Sequence, residues 1–105
     1  MADGLRLSHT SAMILQAIGT GHVYGYTVIA VTGLPSGTVY PALRRLEGDE
    51  LVRSEWEAQS TADSALRPPR KYYRLTQPGE AALELSRKRY PLLSKLSPIV
   101  EMEDA

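Results

Sequence analysis

The sequence contains no cysteine, which excludes disulfides, thiolate metal sites and cysteine nucleophiles. Its two histidines, His9 and His22, make a poor metal site without thiolate partners, so we expect neither a metal nor another cofactor. The Gly33–Thr38 stretch matches neither the serine nucleophile elbow nor a phosphate-binding loop that ends in lysine. We therefore predict that the protein is not an enzyme.

Charge is missing from a long part of the chain. No Asp, Glu, Lys or Arg occurs from Leu7 to Leu43, whereas the rest of the sequence is densely charged. Glycines and Pro35 interrupt this run before it reaches the ~18 apolar residues of a membrane span, so buried helices are expected. The N-terminus also lacks the pattern of a secretory signal, and we expect a cytoplasmic protein.

The chain has 105 residues, 43% of them hydrophobic, and a net charge of zero. This length fits one small domain and leaves little room for a deep substrate cleft. Nucleic-acid binding would have to depend on how charge is distributed, not on its total.

Two helical segments precede a cluster of turn-forming residues. Ser8 or Thr10 can cap a helix that ends at Gly19. A second helix is predicted from about residue 24 to residue 31, although its β-branched residues leave a strand as the alternative. The cluster at residues 32–37 then suits the tight corner of a helix-turn-helix.

A third helix follows this corner. Val39, Leu43 and Leu46 fall within one narrow arc at ~100° per residue and should face the core. Arg44 and Arg45 project to the other side. Pro41 sits just past the first turn if Ser36 caps the helix, whereas a cap at Thr38 would put it where no backbone donor is needed, and the sequence leaves both open.

Two segments alternate in the manner of β-strands. Residues 51–58 place Val52 and Trp56 on one face, so Trp56 is expected to pack in the interior, with a ligand site as the less favoured alternative. Residues 70–76 form the mate, with Tyr73 and Leu75 inward. Between the strands lies a polar loop of about eleven residues.

Thr76 can cap a C-terminal helix that is interrupted at Pro91. Its apolar residues exceed one stripe, since Leu83 and Tyr90 lie nearly opposite a second arc, and a small core can cover one surface only. We infer that the second arc packs on another copy of the chain. The residues of this predicted dimerisation surface are Ala81, Leu85, Leu92, Leu96 and Ile99.

This order of elements predicts a mainly α fold with a small β-hairpin, a winged helix-turn-helix with a C-terminal dimerisation helix. Residues 1–76 would form the DNA-binding domain, and residues 77–105 the dimerisation helix and acidic tail. In such modules the third helix enters the major groove and the wing follows phosphates or the minor groove. Arg44 and Arg45 fit the first role, whereas Arg67, Arg70 and Lys71 fit the second.

The sequence also resembles the PadR family of bacterial transcriptional regulators. The resemblance is carried by the blocks SGTVYPALRRLE (36–47) and YYRLTQPG (72–79), and it spans roughly residues 7–83. It implies a repressor that leaves its promoter when an effector binds. It places in the recognition helix Ser36, Thr38, Tyr40, Pro41, Arg44 and Arg45, and in the wing Arg70, Lys71 and Tyr72.

We therefore expect a homodimeric repressor of double-stranded DNA that reads an inverted repeat and responds to a small-molecule effector. Half-sites should lie about one helical turn (10–10.5 base pairs) apart, or a multiple of it. The alternative is a winged helix that binds another protein with its third helix. That use favours apolar or acidic residues at positions 38, 41, 44 and 45, where this chain has Thr, Pro, Arg and Arg.

Overall fold

The structure is a computed structural model, and it describes residues 7–95. The chain runs through α1 (His9–Gly19), α2 (Gly25–Thr32), α3 (Ser36–Gly48), β1 (Val52–Trp56), α4 (Gln59–Ser64), β2 (Lys71–Leu75) and α5 (Gln77–Arg89), followed by a 3-10 helix (Pro91–Lys95). The two strands form an antiparallel hairpin. The predicted mainly α fold with a winged helix-turn-helix is confirmed. We call residues 52–75 the wing.

The first helix begins after one of the two N-cap residues that the sequence predicted. Ser8 is the N-cap, and its hydroxyl accepts a hydrogen bond from the amide of Ser11 at 3.1 Å. Of the two predicted caps, Ser8 is therefore the correct one. Between Ser11 and Ile18 nearly every side chain of α1 is buried, as expected of a central helix without charge.

The second segment is a helix despite five β-branched residues among its eight. Val28 is fully buried, and Ile29 and Val31 pack against the core, so tertiary burial outweighs weak helix propensity. Gly33 ends α2 at φ +74°, a left-handed conformation that favours glycine. Its amide donates to the Ile29 carbonyl at 2.9 Å. Three residues then suffice to turn the chain into α3.

The third helix starts differently from either prediction. Its N-cap is Pro35, which has no side chain to accept a hydrogen bond, so neither Ser36 nor Thr38 is the cap. Pro41 consequently lies inside the helix, where it cannot donate to the Gly37 carbonyl. The helix tolerates this because Val39, Leu43 and Leu46, all at most 1% exposed, hold it against the core.

The strands pair from Val52 opposite Leu75 to Trp56 opposite Lys71. The connection between them, predicted as a polar loop, contains α4. Trp56 shares a face with the buried Val52, as predicted, but it is 63% exposed. The prediction that Trp56 packs in the interior is wrong.

At the junction between the wing and α5, the backbone of α5 lies very close to the backbone that precedes β1. Thr76 caps α5 as predicted: its hydroxyl accepts from the Gly79 amide at 3.0 Å and donates to the Glu50 carbonyl at 2.6 Å. Gly79 is buried against the backbone of Leu51, so closely that a Cβ would overlap the Leu51 carbonyl oxygen. The glycine of the TQPG motif (residues 76–79) thus allows the backbone of α5 to approach that of Leu51.

The C-terminal helix presents two faces. Ala82 and Leu83 belong to the core, and Arg87 donates to the side chain of Gln16 on α1 at 3.0 Å. On the other face Ala81, Leu85 and Leu92 are exposed. The predicted interruption occurs: α5 ends at Arg89 and a 3-10 helix starts at Pro91. Leu96, Ile99 and the acidic tail lie outside the described residues.

One hydrophobic core joins all of these elements except α4, which contributes no residue to it. Within residues 7–95 no helix is long and apolar enough to cross a membrane, and no three side chains cluster as metal ligands. The buried apolar residues are Ala12, Ile14, Leu15, Ala17, Ile18, Val28, Val39, Ala42, Leu43, Leu46, Leu51, Val52, Tyr73, Ala82, Leu83 and Leu93.

Replacing Gly79 by alanine should lower the free energy of unfolding by about 1 to 3 kcal/mol, because the new methyl group would separate α5 from β1. Gly48→Ala is the matched control, since nothing lies within 4 Å of a Cβ there, and alanine should raise the free energy of unfolding by up to about 1 kcal/mol. Urea denaturation followed by circular dichroism measures both. Equal effects of the two substitutions would contradict the assigned contact.

Candidate nucleic-acid interface

The outward face of α3 carries two cations. Arg44 and Arg45 are exposed, and neither forms an ion pair with any side chain of residues 7–95. Glu47, the nearest acidic residue along the helix, instead accepts a 2.5 Å hydrogen bond from the Ser54 hydroxyl of β1. Both guanidinium groups are thus held outward on a packed helix, with their donors available for a partner.

The start of α3 is also open. Ser36, Gly37 and Pro41 are exposed and Thr38 is half-buried. Since Pro35 supplies no side-chain cap, the Ser36 and Gly37 amides keep their donors, whereas those of Thr38 and Val39 donate to the Pro35 carbonyl. Such a helix start attracts anions. Gly37 has open space around the position of a Cβ. A phosphate backbone can therefore come close to this turn.

Tyr40 leans from α3 onto the first residue of α2. A Cβ on Gly25 would lie 2.5 to 2.8 Å from three atoms of the Tyr40 phenol group, so a larger residue there would require the Tyr40 side chain to shift. Tyr40 nevertheless stays 42% exposed. The glycine of the Tyr24-Gly25-Tyr26 motif thus gives Tyr40 its place at the edge of the recognition surface.

The wing cations rest on aromatic rings. The Arg70 guanidinium lies 4.2 Å from the centre of the Tyr24 ring, and the Lys71 ammonium lies 5.7 Å from that of Trp56. Tyr72 meets Tyr24 edge to face at 5.7 Å. These contacts orient the cations without neutralising them, because a ring, unlike a carboxylate, carries no net charge.

Arg67 is held differently from the other cations. Its guanidinium donates two hydrogen bonds, at 2.6 and 2.9 Å, to the Glu57 carboxylate. Glu57, whose side chain is 8% exposed, also accepts from the Arg70 amide and the Tyr72 hydroxyl. The sequence prediction grouped Arg67 with the residues that contact DNA phosphates. In the structure Arg67 is paired with Glu57, and we call this hydrogen-bonded ion pair at the tip of the wing the clasp.

The clasp changes the acidity of its carboxyl. The pKa of Glu57 falls from 4.5 to about 2, mainly because Arg67 donates hydrogen bonds to the ionised form. Burial opposes this shift, and the Arg70 amide, the charge of Arg67 and the Tyr72 hydroxyl add to it. Glu57 is therefore ionised throughout the physiological range.

A groove of about 790 Å³ separates α3 from the wing. The first turn of α2 forms one end, Tyr40 and Arg44 form one wall, and Trp56, Arg70 and Lys71 form the other. The backbone amide of Tyr73 donates to the Val23 carbonyl at 2.7 Å, which ties β2 to the segment before α2. The recognition helix and the wing are thereby combined into one basic, aromatic surface.

The comparison with known proteins identifies this arrangement. A family model described as the transcriptional regulator PadR-like family matches residues 14–85, which is more than half of the 105 residues. The chain belongs to the PadR-like family. It is accordingly a transcriptional regulator, and regulators of this family bind DNA.

Solved PadR structures share the fold. A PadR family transcription regulator from Clostridium difficile has a TM-score of 0.69 at 26% identity, over 84% of this chain and 93% of that chain. A PadR-like transcription factor from Bacteroides fragilis has a TM-score of 0.64 at 29% identity, covering 81% and 82%. A PadR-like regulator from Bacillus cereus has a TM-score of 0.61 at 30% identity, covering 81% and 84%. No curated protein matches the sequence significantly.

Five of the ten predicted DNA-contact residues line the groove of this PadR-like protein, namely Tyr40, Arg44, Arg67, Arg70 and Lys71. Ser36, Thr38, Tyr40, Pro41, Arg44 and Arg45 lie on α3, and Arg70, Lys71 and Tyr72 lie at the end of the wing nearest α2. Sequence reasoning missed the other seven residues of the groove, which are Tyr24, Gly25, Tyr26, Trp56, Pro68, Pro69 and Tyr73. The Tyr-Gly-Tyr spacing was the available signal for the first three, whereas nothing in the sequence showed that Trp56 would face this groove.

Replacing Glu57 by glutamine should lower the thermal unfolding midpoint of this PadR-like protein at pH 7, because Arg67 then loses its ionic partner. The folded carboxyl titrates near pH 2 and the unfolded one near 4.5. The unfolded chain therefore binds the proton first as pH falls, and the stability contributed by Glu57 is present above pH 4.5 and lost toward pH 2. The gap between wild type and Glu57→Gln should close over this range.

Glu55→Gln is the matched control for this experiment. Glu55 pairs with Arg74 at 3.2 Å, and both side chains are more than 70% exposed, so its loss should change the midpoint little. Differential scanning fluorimetry from pH 7 to about pH 3 compares the three proteins. A gap for Glu57→Gln that does not vary with pH would refute the clasp.

Proposed function

We propose that this PadR-like protein is a repressor that binds an inverted-repeat operator as a homodimer and is released by a small-molecule effector. The observation that carries the DNA-binding part is the pair of exposed arginines on α3, neither of which has an ion-pair partner among residues 7–95. Arginine can donate two hydrogen bonds to O6 and N7 of guanine in the major groove. The family membership supports the same assignment.

The wing supplies the second part of the proposed interface. Arg70 and Lys71 flank the groove next to Arg44, and together they form a positive surface on a chain whose net charge is zero. Phosphate contacts from such residues position a protein on DNA and make its affinity fall with salt. Tyr72, which already donates to Glu57, would support the wing backbone next to the phosphates. We propose that Arg67 contributes through the clasp and through its charge.

Dimerisation is proposed to use the exposed face of α5. Leu85 is 48% and Leu92 75% exposed, and Ala81 lies on the same face. Leu96 and Ile99 continue this surface in the proposal. Leu83 and Arg87 tie α5 to the core. The predicted boundary at residue 76 would therefore separate the DNA-binding role from the dimerisation role, and not two independent hydrophobic cores. A two-fold dimer places its α3 helices one helical turn, 10–10.5 base pairs, apart or a multiple of it.

We propose no catalysis. The groove is lined by Tyr, Trp, Arg, Lys, Pro and Gly, and this set contains no carboxylate, histidine or serine with which to build a nucleophile and base. The proposed partner, bacterial promoter DNA, lies in the cytoplasm, which is where the protein would act.

Replacing Arg44 or Arg45 by alanine should weaken operator binding by about 1 to 3 kcal/mol for each lost base contact. Lys88→Ala is the matched control, because Lys88 is an exposed cation on α5, away from the groove. Fluorescence anisotropy with DNA from upstream of the gene, at about 50 and about 200 mM salt, measures affinity and salt slope. Unchanged affinity and slope in both arginine variants would favour the protein-interaction alternative.

Replacing Leu85 and Leu92 by glutamate should convert the dimer into monomers, because two carboxylates would be buried without partners. A double variant on α4, Thr61→Glu with Ser64→Glu, adds the same charge at exposed positions of the wing and should stay dimeric. Sedimentation velocity distinguishes the two states. A dimer that persists in the Leu85 and Leu92 variant would show that the interface lies elsewhere.

A further inference from the structure

We propose that Leu66, at the tip of the wing, enters the minor groove of DNA and wedges between two neighbouring base pairs, so that the operator bends where the wing contacts it. The inference rests on the proposed function, because it requires DNA on the surface formed by α3 and the wing. It adds an apolar contact that reads the deformability of DNA to the basic residues already assigned.

Leu66 combines an unusual backbone conformation with an unusual surface position. It is 91% exposed, more than any other large hydrophobic residue in the described part of the chain. Its φ is +59°, in the left-handed region that bulky side chains rarely adopt, and within residues 7–95 only Glu50 is another such non-glycine residue. An exposed leucine in this conformation contributes little to the stability of the fold, and backbone strain of this kind often marks a functional position. A contact with a partner would explain the leucine.

Hydrogen bonds at the end of α4 hold Leu66 in this conformation. Ala65 is the C-cap of α4, and Leu66 is the next residue. The Leu66 amide donates to the Asp63 carbonyl at 3.0 Å, and the Arg67 amide donates to the Ala62 carbonyl at 3.2 Å. This is the Schellman pattern, in which the left-handed position is usually glycine. Leucine at this position therefore presents an apolar side chain where most helices present none.

The clasp constrains the chain on the other side of Leu66. Arg67, the next residue, donates to Glu57 at 2.6 and 2.9 Å, and Pro68 and Pro69 restrict the backbone that follows. Leu66 thus lies between two fixed segments and would lose little conformational freedom on binding, which favours affinity. The helix α4 adds no residue to the hydrophobic core, and positioning Leu66 gives it a role.

The residues around Leu66 favour DNA as the partner. The five residues that follow it, 67–71, all line the groove beside Arg44 of α3, so the tip continues the proposed DNA interface. Arg70 and Lys71 have no ion-pair partner within residues 7–95 and suit the phosphates that border a groove. The carboxylate of Asp63, on α4, is held by the Gln59 side chain at 2.8 Å.

A protein partner fits the tip less well. Ser60, Thr61 and Ser64 of α4 are exposed around the single apolar side chain of Leu66. A stable protein interface buries about 800 Å² on each partner around a largely apolar centre. One leucine among short polar residues does not supply such a surface, whereas one leucine suffices as a wedge between base pairs.

Insertion of Leu66 would have a defined effect on the DNA. Leucine is among the side chains that proteins insert between base pairs from the minor groove, and insertion kinks the duplex by roughly 20–90° toward the major groove. A bend in this direction would close the DNA around α3. Pyrimidine–purine steps such as TA and CA unstack most easily, so the wing would favour such a step without reading the edges of its bases.

Leu66→Gly separates the wedge from the stability of the fold. Glycine suits the left-handed position, so this variant should unfold at the wild-type temperature or above it, as followed by circular dichroism. It should weaken binding to DNA from upstream of the gene about fivefold or more in fluorescence anisotropy. The salt slope should not change, because no cation is removed.

Two further variants serve as controls for the affinity. Leu66→Met keeps an apolar side chain of a kind that also inserts into DNA, and it should bind within about twofold of wild type. Ser60→Ala changes an exposed residue of α4 without altering the tip and should bind as wild type does. Loss of affinity in Leu66→Met as large as in Leu66→Gly would contradict an apolar wedge.

DNA bending is the readout that a simple surface contact would not change. A duplex of about 30 base pairs, taken from the footprinted upstream site, carries a donor dye at one end and an acceptor dye at the other. Wild type should raise the energy transfer between the dyes more than Leu66→Gly does. Permanganate, which oxidises unstacked thymines, should mark a step in the wild-type complex and not in the complex of Leu66→Gly.

The outcomes separate this inference from the proposed function. Equal affinity, bending and permanganate reactivity for wild type and Leu66→Gly would refute the wedge and favour a protein partner for Leu66, while the proposed function would stand. Weaker binding by Leu66→Gly with unchanged bending and reactivity would assign a surface contact and overturn insertion. If wild type binds upstream DNA no more tightly than scrambled DNA, the proposed function itself fails, and the wedge fails with it.

Discussion

Val39, Leu43 and Leu46 hold α3 at one rotation about its own axis, and the functional surface depends on this packing. The three side chains are at most 1% exposed and belong to the core, in which α3 packs against α1, α2 and β1. Because helical residues recur every ~100°, burying this arc turns Tyr40, Arg44 and Arg45 outward. Because α3 contains Pro41 and has no side-chain cap, its local sequence stabilises the helix only weakly. Packing against the core therefore both stabilises and orients it.

The wing is placed by a second set of constraints, most of them polar. The Tyr73 amide bonds to Val23, Thr76 bonds to Glu50, and Gly79 lets α5 approach the Leu51 carbonyl. These contacts fix the hairpin relative to α2 and α3, and the groove is the space that remains. Its aromatic and cationic walls therefore come from four separate parts of the chain.

The molecule uses its basic residues in two ways. Arg67 is committed to Glu57 inside the wing, where the ion pair and its hydrogen bonds order the tip. Arg44, Arg70 and Lys71 are oriented by packing or by aromatic rings and keep their charge available. A chain of zero net charge can thus present a positive face to phosphates, because its acidic groups are paired or lie elsewhere.

The sequence by itself determined the order of all elements except α4, the buried arc of α3, the cap at Thr76 and the two faces of α5, because these follow from local spacing and turn chemistry. It also pointed to Arg44 and Arg45 through the helical period. The tertiary structure alone decided that residues 25–32 are helical, that Trp56 is exposed and that Arg67 binds Glu57. Each of these outcomes depends on contacts between residues that are distant in the sequence. Arg67 and Glu57, for example, are ten residues apart. A periodic pattern shows on which face of a helix or strand a side chain lies. It does not show whether another part of the protein covers that face at the position of the side chain.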